Sequence, residues 1–335
     1  MAVPASVQMA AGPGVGLPRV DPETRRRMRR RVKRRRYAMV LLFMSPWIVG
    51  FLVFLLYPML SSLYFSFTKY DLLKSPQWAG LFNYRFMFTK DPQFWQAMKN
   101  TLWIIAVGVP TRIVFAIFTA ALLARRRRSI GVYRTVYFLP SMAPAVAATL
   151  GFVYLLNPAT GPVNRFLGLL HLPKPLWFFD PMWSKPGLVL LGLWGVGDAM
   201  IIFLAGLLNV PAQLYEAADV EGARGWQKFR FITLPMISPV IFFSLVIGVI
   251  DGFQYFTQAY VAAAAISGPG QINFVGSPQG STMFYSVYLF SQGFQEFHMG
   301  YASAMAWVLF AVTMICTVVL IRLSRRWVHY QGGFR

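Results

Sequence analysis

Six long apolar segments constrain this chain more than any other feature of its sequence. They run roughly over 38–66, 98–124, 132–156, 186–208, 239–263 and 299–324. At ~1.5 Å of rise per residue, each segment can cross about 30 Å of hydrocarbon as a helix. Only 13% of the residues are charged, whereas a soluble domain has about a quarter. The sequence therefore predicts an all-α polytopic membrane protein with six transmembrane helices in one domain over 37–335.

Positive charge is concentrated before the first apolar segment. The formal net charge is +21, and 11 of the 32 Lys and Arg residues lie between Arg19 and Arg36. No aromatic residues or zinc-ligand spacing accompany this run. We therefore expect residues 1–36 to be a disordered basic tail that contacts anionic lipid of the bilayer and no nucleic acid. On the tail alone, a membrane-anchored nucleic-acid-binding protein is the rival interpretation.

The distribution of the remaining positive charge predicts the orientation. If the N-terminus is cytoplasmic, 23 Lys and Arg residues lie on the inner side and 8 on the outer side. Inner loops of membrane proteins carry the excess of these residues. We expect a multi-pass protein of the cell membrane with both termini in the cytoplasm.

Patterns that carry catalysis or bind metals are missing from the sequence. The single cysteine, Cys316, lies in an apolar segment, and His171, His298 and His329 are far apart in the chain. Neither a phosphate-binding Gly-rich lysine loop nor a His-Glu-x-x-His pair occurs. We expect no enzymatic activity, no metal and no cofactor.

The inner loop over 211–235, between the fourth and fifth segments, has a pattern of its own. Pro211 suits the first turn of a helix, and residues 213–220 are mostly compatible with one. Gly222 and Gly225 then permit a sharp reversal, and a second amphipathic helix runs towards Pro235. The loop is therefore predicted to be two helices joined by a glycine turn on the cytoplasmic face.

The loop contains Glu216-Ala217-Ala218, then Gly222, then Ile232-Thr233-Leu234-Pro235. This pattern resembles the EAA loop of binding-protein-dependent ABC importers. The resemblance implies a prokaryotic permease with the type I ABC importer fold. It also implies three kinds of protein partner: a second homologous permease subunit, two ATPase subunits that hydrolyse the ATP, and an extracytoplasmic solute-binding protein.

In that family the first helix of the loop docks into the ATPase. By resemblance, Glu216 would meet a basic group of the ATPase, Ala217 and Ala218 would allow close approach, and Gly222 would make the turn. Leu234 and Pro235 complete the ATPase-coupling set. Many members have Asp where this chain has Glu221, a difference that keeps the charge.

Further stretches are similar to the carbohydrate-uptake branch of the family, which includes the maltose and glycerol-phosphate importers. They include Gly80-Leu81-Phe82-Asn83-Tyr84 and Met299-Gly300-Tyr301-Ala302-Ser303-Ala304. The resemblance implies transport of a sugar or related solute. The alternative is an ion- or proton-coupled secondary transporter, in which acids inside the membrane would be the coupling groups. That alternative does not explain the inner loop.

Three charged residues fall near the middle of the apolar segments rather than at their ends. Arg112, Asp198 and Asp251 each lie near the middle of a segment, where an isolated charge is costly. We expect them to form an intramembrane charge cluster in which Asp198, Asp251 or both neutralise Arg112.

A polar face is predicted in the fifth segment. Asp251, Gln254, Tyr255 and Gln258 have the spacing i, i+3, i+4 and i+7, which places them on one side of a helix. Polar and aromatic groups suit a path for sugars, so we expect these residues to line the translocation path. The alternative is that they only make polar contacts between helices.

Overall fold

The computed structural model describes residues 22–124, 130–267, 275–325 and 328, and their side chains from residue 33 onward. The basic cluster at 125–128 and the N-terminal residues 1–21 lie outside the described residues. The α-helices are α1 (Pro22–Phe51), α2 (Tyr57–Ser66), α3 (Phe82–Thr89), α4 (Pro92–Trp103), α5 (Val109–Leu123), α6 (Ile130–Phe138), α7 (Ala145–Leu155), α8 (Pro162–Leu169), α9 (Pro181–Trp194), α10 (Gly197–Leu208), α11 (Ala212–Val220), α12 (Gly225–Lys228), α13 (Leu234–Met236), α14 (Ser238–Phe253), α15 (Thr257–Ser267), α16 (Tyr285–Phe290) and α17 (Met299–Ser324).

Short irregular elements connect these helices. The strands β1 (Thr68–Lys69) and β2 (Gln77–Trp78) form an antiparallel pair. The remaining elements are the π-helical turns Leu52–Leu56, Ile104–Gly108, Phe229–Thr233 and Ser291–Gln295, and the 3₁₀ turns Leu139–Met142 and Trp177–Phe179. The predicted all-α class is confirmed.

The chain divides into two compact units, Met1–Ser61 and Ser62–Arg335. In the first unit α1 begins at Pro22, so the expectation of a disordered tail is wrong for residues 22–36. Proline is well suited to the first position of a helix, and Arg and Lys are good helix formers. The basic run therefore extends the first apolar helix.

The apolar segments form helices of two kinds. Lys33–Ser66, Pro92–Leu123 and Met299–Ser324 are unbroken and long enough to cross a membrane. Three more candidates are pairs of helices with a bend between them: α6 and α7 at 97°, α9 and α10 at 53°, and Gly225–Met236 with α14 at 64°. If each bent pair is one span, the described residues contain six, in agreement with the predicted polytopic fold.

Prolines and a glycine explain two of the bends. Pro140 lies in the 3₁₀ turn after α6, and Pro144 directly precedes α7. Proline has no N–H and disfavours the helical conformation of the residue before it. At the start of α10, a Cβ atom on Gly197 would lie 2.7 Å from Phe138 Cα. Only glycine therefore permits α10 to begin against the end of α6.

The fifth apolar segment is interrupted. α14 ends at Phe253 and α15 begins at Thr257, so the prediction of one continuous helix over 239–263 is wrong. Tyr255 packs edge-to-face against Phe284 at 5.3 Å, and Phe256 packs against Phe290 at 5.2 Å between ring centroids. These aromatic contacts hold residues 254–256 out of the helix, because tertiary packing outweighs local helix propensity.

Two glycines bring α14 against the helix that contains α5. A Cβ atom on Gly248 would lie 2.7 Å from Val109 Cγ1, and one on Gly252 would lie 2.6 Å from Ile105 Cγ1. Small residues four positions apart permit such close helix contact in membranes. This contact fixes the wall of the cavity described below.

Candidate functional site

The inner loop has the predicted arrangement of two helices and a glycine turn. α11 begins directly after Pro211, and at its end Gly222 has a φ of +74°. The N–H of Ala223 donates to the Ala218 carbonyl at 2.9 Å. This is a glycine cap, and other residues at a left-handed φ lose roughly 1–2 kcal/mol. α12 then leads through a π-helical turn into α13.

Side-chain contacts tie the two arms of the loop together. The hydroxyls of Tyr215 and Thr233 hydrogen-bond at 2.8 Å. Asp219 on α11 forms an ion pair with Lys228 on α12. The backbone N–H of Arg224 donates to Gln227 Oε1 at 2.7 Å and closes the start of α12. The loop is thus held as one unit.

The surface of the loop presents large apolar groups. Glu216 and Ala217 are exposed on α11, and Ala218 is buried. On the same loop, Val220 is 90% exposed and Trp226 71% exposed. An exposed apolar patch next to polar residues is typical of a surface that binds another protein.

The end of the loop is anchored in the helical bundle. Leu234 and Pro235 belong to α13, and the next residue after that helix, Ile237, is fully buried in a cluster with Met200 and Phe203 of α10. α14 begins at Ser238. The loop therefore connects to α14 through a packed bend with no flexible linker.

A cavity of about 400 Å³ lies among α5, the α9–α10 junction and α14 with α15. Five of the predicted residues line it: Arg112, Asp198, Asp251, Tyr255 and Gln258. Gln254 is exposed and does not line it. The predicted single helical face is therefore wrong: α14 ends at Phe253, so the four residues do not share one helix, and Gln254 does not line the cavity.

Two of the three intramembrane charges are in contact. Arg112 Nη2 donates to Asp198 Oδ1 at 3.0 Å and to Oδ2 at 3.2 Å. Arg112 Nε is buried and has no hydrogen-bond partner among the described residues. Asp251 lines the same cavity from α14. The cavity wall thus contains the Arg112–Asp198 ion pair and a second carboxylate, that of Asp251.

Sequence reasoning missed other residues of the cavity wall, including Ser141 and Trp194. Both lie at helix breaks, Ser141 between α6 and α7 and Trp194 at the end of α9. Broken helices at membrane depth commonly line solute cavities in transporters. The prolines around Ser141 and the glycines after Trp194 were the signal that could have identified them.

Known proteins share both this sequence and this fold. The sequence model of the family described as "Binding-protein-dependent transport system inner membrane component" matches residues 112–330. The "Probable ABC transporter permease protein YesP" of Bacillus subtilis is 41% identical over 291 residues, which are 87% of this chain and 91% of that protein. The "Arabinooligosaccharides transport system permease protein AraP" of the same organism is 34% identical and covers 84% of this chain and 87% of its own.

A solved structure gives the same result at the level of the fold. A chain in the crystal structure of a bacterial alginate ABC transporter in complex with an alginate pentasaccharide-bound periplasmic protein superposes with a TM-score of 0.71 and 25% identity. The match covers 87% of this chain and 96% of that one. The chain therefore belongs to the inner-membrane component family of binding-protein-dependent transport systems, and it is a permease subunit of an ABC importer and not an enzyme.

Proposed function

We propose that this chain is one of two permeases of a sugar importer in a prokaryotic cell membrane. An extracytoplasmic binding protein delivers the sugar, and two ATPase subunits drive transport from the cytoplasmic side. The names of the relatives support a carbohydrate: one transports arabinooligosaccharides, and the similar solved structure holds an alginate-bound periplasmic protein. Both termini are cytoplasmic, as the distribution of Lys and Arg favours.

The observation that carries this proposal is the connection between the inner loop and the cavity. Glu216 and Ala217 present the ATPase-coupling surface, Ala218 packs beneath them, Gly222 makes the turn, and Leu234 and Pro235 join the loop to the bundle. Because α14 follows the loop through a packed bend and carries Asp251 into the cavity wall, we expect a pull on α11 to be transmitted to that wall. Asp251, Tyr255 and Gln258 line the translocation path, where carboxylate, phenol and amide groups suit sugar hydroxyls.

Reconstitution distinguishes this proposal from the alternative that the chain is an ion- or proton-coupled secondary transporter. Liposomes would contain this chain, its partner permease and the ATPases, with binding protein outside and ATP inside. We expect ATP-dependent uptake of at least one of arabinotriose, maltotriose and trigalacturonate, and none with an ATPase variant that cannot hydrolyse ATP. Accumulation driven by an ion gradient without ATP would refute the importer mechanism for this chain.

Two nearby glutamines provide a matched test of the path. Gln258→Ala is expected to raise the KM for the transported sugar by about 2- to 10-fold, the equivalent of one hydrogen bond of about 0.5–1.5 kcal/mol. Gln254→Ala is the control, because its side chain does not line the cavity. Uptake kinetics in the same liposomes measure both. An equal effect of the two substitutions would contradict the assignment of Gln258 to the path.

A further inference from the structure

A second and larger cavity lies at the opposite end of the helical bundle from the inner loop. This outer pocket has a volume of about 710 Å³ and is formed by residues 68–77, 82–93 and 288–301. The helix Pro92–Leu123 starts at the pocket, and its 32 residues extend for about 48 Å. Its far end, Leu123, packs in the same cluster as Ile237 beside the inner loop. The outer pocket therefore opens on the side from which solute arrives.

The carboxylate of Asp91 at the floor of the outer pocket is hydrogen-bonded through both of its oxygens. Asp91 is 5% exposed, and its Oδ1 accepts from the backbone N–H groups of Gln93 at 2.9 Å and Phe94 at 3.1 Å. Its Oδ2 accepts from the hydroxyls of Tyr288, at 2.8 Å, and Tyr301. Burial raises the pKa of Tyr288, and the hydrogen bond to Asp91 raises it further. The phenol therefore stays protonated, and the floor needs no ligand to satisfy it.

Aromatic rings line the wall above this floor. Phe82 and Phe86 border the pocket and are 49% and 39% exposed. Phe86 is held edge-to-face against Tyr301 at 5.6 Å between ring centroids, and Lys69 Nζ lies 4.3 Å from the centre of the Phe82 ring. Phe82 also stacks with Phe86 at 6.4 Å between ring centroids, so the wall is a pair of stacked rings with the Lys69 ammonium over part of the Phe82 face.

The rim adds donors and acceptors of both signs. Lys69, Lys74 and Lys90 border the pocket, and none of them forms an ion pair with a described acidic residue. Asp71 and Glu296 supply acceptors on the same rim. With Asp91 the three acids balance the three lysines, so the lining suits neither an apolar ligand nor a phosphate. Flat rings with mixed donors and acceptors suit a polyhydroxylated ring.

We propose that the outer pocket is a carbohydrate-binding site of its own, separate from the membrane cavity. It holds sugar rings of the incoming oligosaccharide at the entrance, with Phe82 and Phe86 against the ring faces and the lysines and acids on the hydroxyls. Its volume falls within the range of about 300–1,000 Å³ typical of small-molecule sites. This inference rests on the proposed function for the class of ligand.

Protection of an introduced cysteine tests the site in the whole importer. With Cys316→Ser as background, Gln93→Cys places a thiol on the pocket lining, and Arg85→Cys places one on an exposed part of α3 outside it. The complex in nanodiscs is treated with a maleimide in the presence of arabinotriose, maltotriose or trigalacturonate. A sugar at ten times its Kd is expected to slow labelling of Gln93→Cys about tenfold and to leave Arg85→Cys unchanged.

Two further arms separate the possible outcomes. Phe86→Ala in the Gln93→Cys background is expected to abolish protection while the melting temperature shows that the complex is folded. Unchanged labelling in the presence of a sugar that the importer transports would overturn the site. So would equal protection by sugar-free binding protein, which would identify a protein-docking surface. If none of the three sugars is transported, the proposed function is refuted. In that case the outer pocket is judged by labelling alone, and it is refuted as a carbohydrate site if none of the sugars protects Gln93→Cys.

Discussion

Glu216→Arg is expected to abolish ATP-driven uptake and to leave the amount of folded protein in the membrane unchanged. Glu216 is exposed on α11 and takes part in none of the ion pairs of the described residues. Its replacement therefore removes none of these ion pairs. At a docked ATPase surface, the arginine would face the basic group that Glu216 is proposed to meet, and like charges at an interface cost several kcal/mol.

The measurement combines uptake in liposomes with stimulation of ATP hydrolysis by sugar-loaded binding protein. Both are expected to be lost in Glu216→Arg, while size-exclusion chromatography shows whether the ATPases have dissociated. Glu221→Arg is the matched control, because it reverses the same charge on the same loop after the end of α11. Normal uptake by Glu216→Arg would remove Glu216 from the coupling role. Equal loss of uptake in both variants would indicate that coupling depends on the total charge of the loop and not on Glu216 itself.

Sequence periodicity and turn chemistry account well for the inner loop. Gly222 was predictable as the turn because a helix that reverses within a few residues needs a left-handed conformation, and the structure has φ of +74° there. The contact between Tyr215 and Thr233 was not predictable, since the two residues are 18 positions apart. Local sequence specifies the turn. The packing of the two arms depends on the length of the second arm before its bend, which is a tertiary feature.

In the membrane segments too, the sequence predicts where the helices lie but not where tertiary packing bends or interrupts them. Residue counting placed six apolar segments, but it could not show that the segment with Pro140 bends by 97°. Prolines are tolerated in membrane helices where neighbours satisfy the freed backbone groups, so their effect depends on the bundle. The interruption after Phe253 has no proline at all. It follows from the aromatic packing of Tyr255 and Phe256, which a single segment does not reveal.

The depth of the three charged residues could be predicted from the sequence, but the direction in which each side chain points could not. Counting along each segment puts Arg112, Asp198 and Asp251 at similar depth, and all three line one cavity. Counting does not tell which side of a helix faces which neighbour. The contact between Arg112 and Asp198 depends on the packing of α5 against α10, and the glycines at 248 and 252 bring α14 and Asp251 to the same wall.

Arg112→Met is expected to lower the yield and the melting temperature of the folded complex. The substitution leaves Asp198 without its guanidinium partner in the cavity wall. The side chains of Arg112 and Asp198 are 38% and 60% exposed. The loss should therefore lie between the ~0–1 kcal/mol of a surface pair and the ~3–5 kcal/mol of breaking a buried one. Methionine keeps the length and the apolar stem of the side chain, so the lost charge dominates the effect.

The second substitution identifies the partner. Asp198→Asn in the Arg112→Met background is expected to restore most of the stability, because it removes the unpaired charge. Asp251→Asn is the matched control: it neutralises a carboxylate in the same cavity that does not hydrogen-bond to Arg112. Thermal melts of the two double variants, with each single variant, form a double-mutant cycle. Strict additivity for Arg112 and Asp198 would show that their contact does not stabilise the bundle, and greater recovery with Asp251→Asn would make Asp251 the effective counter-ion.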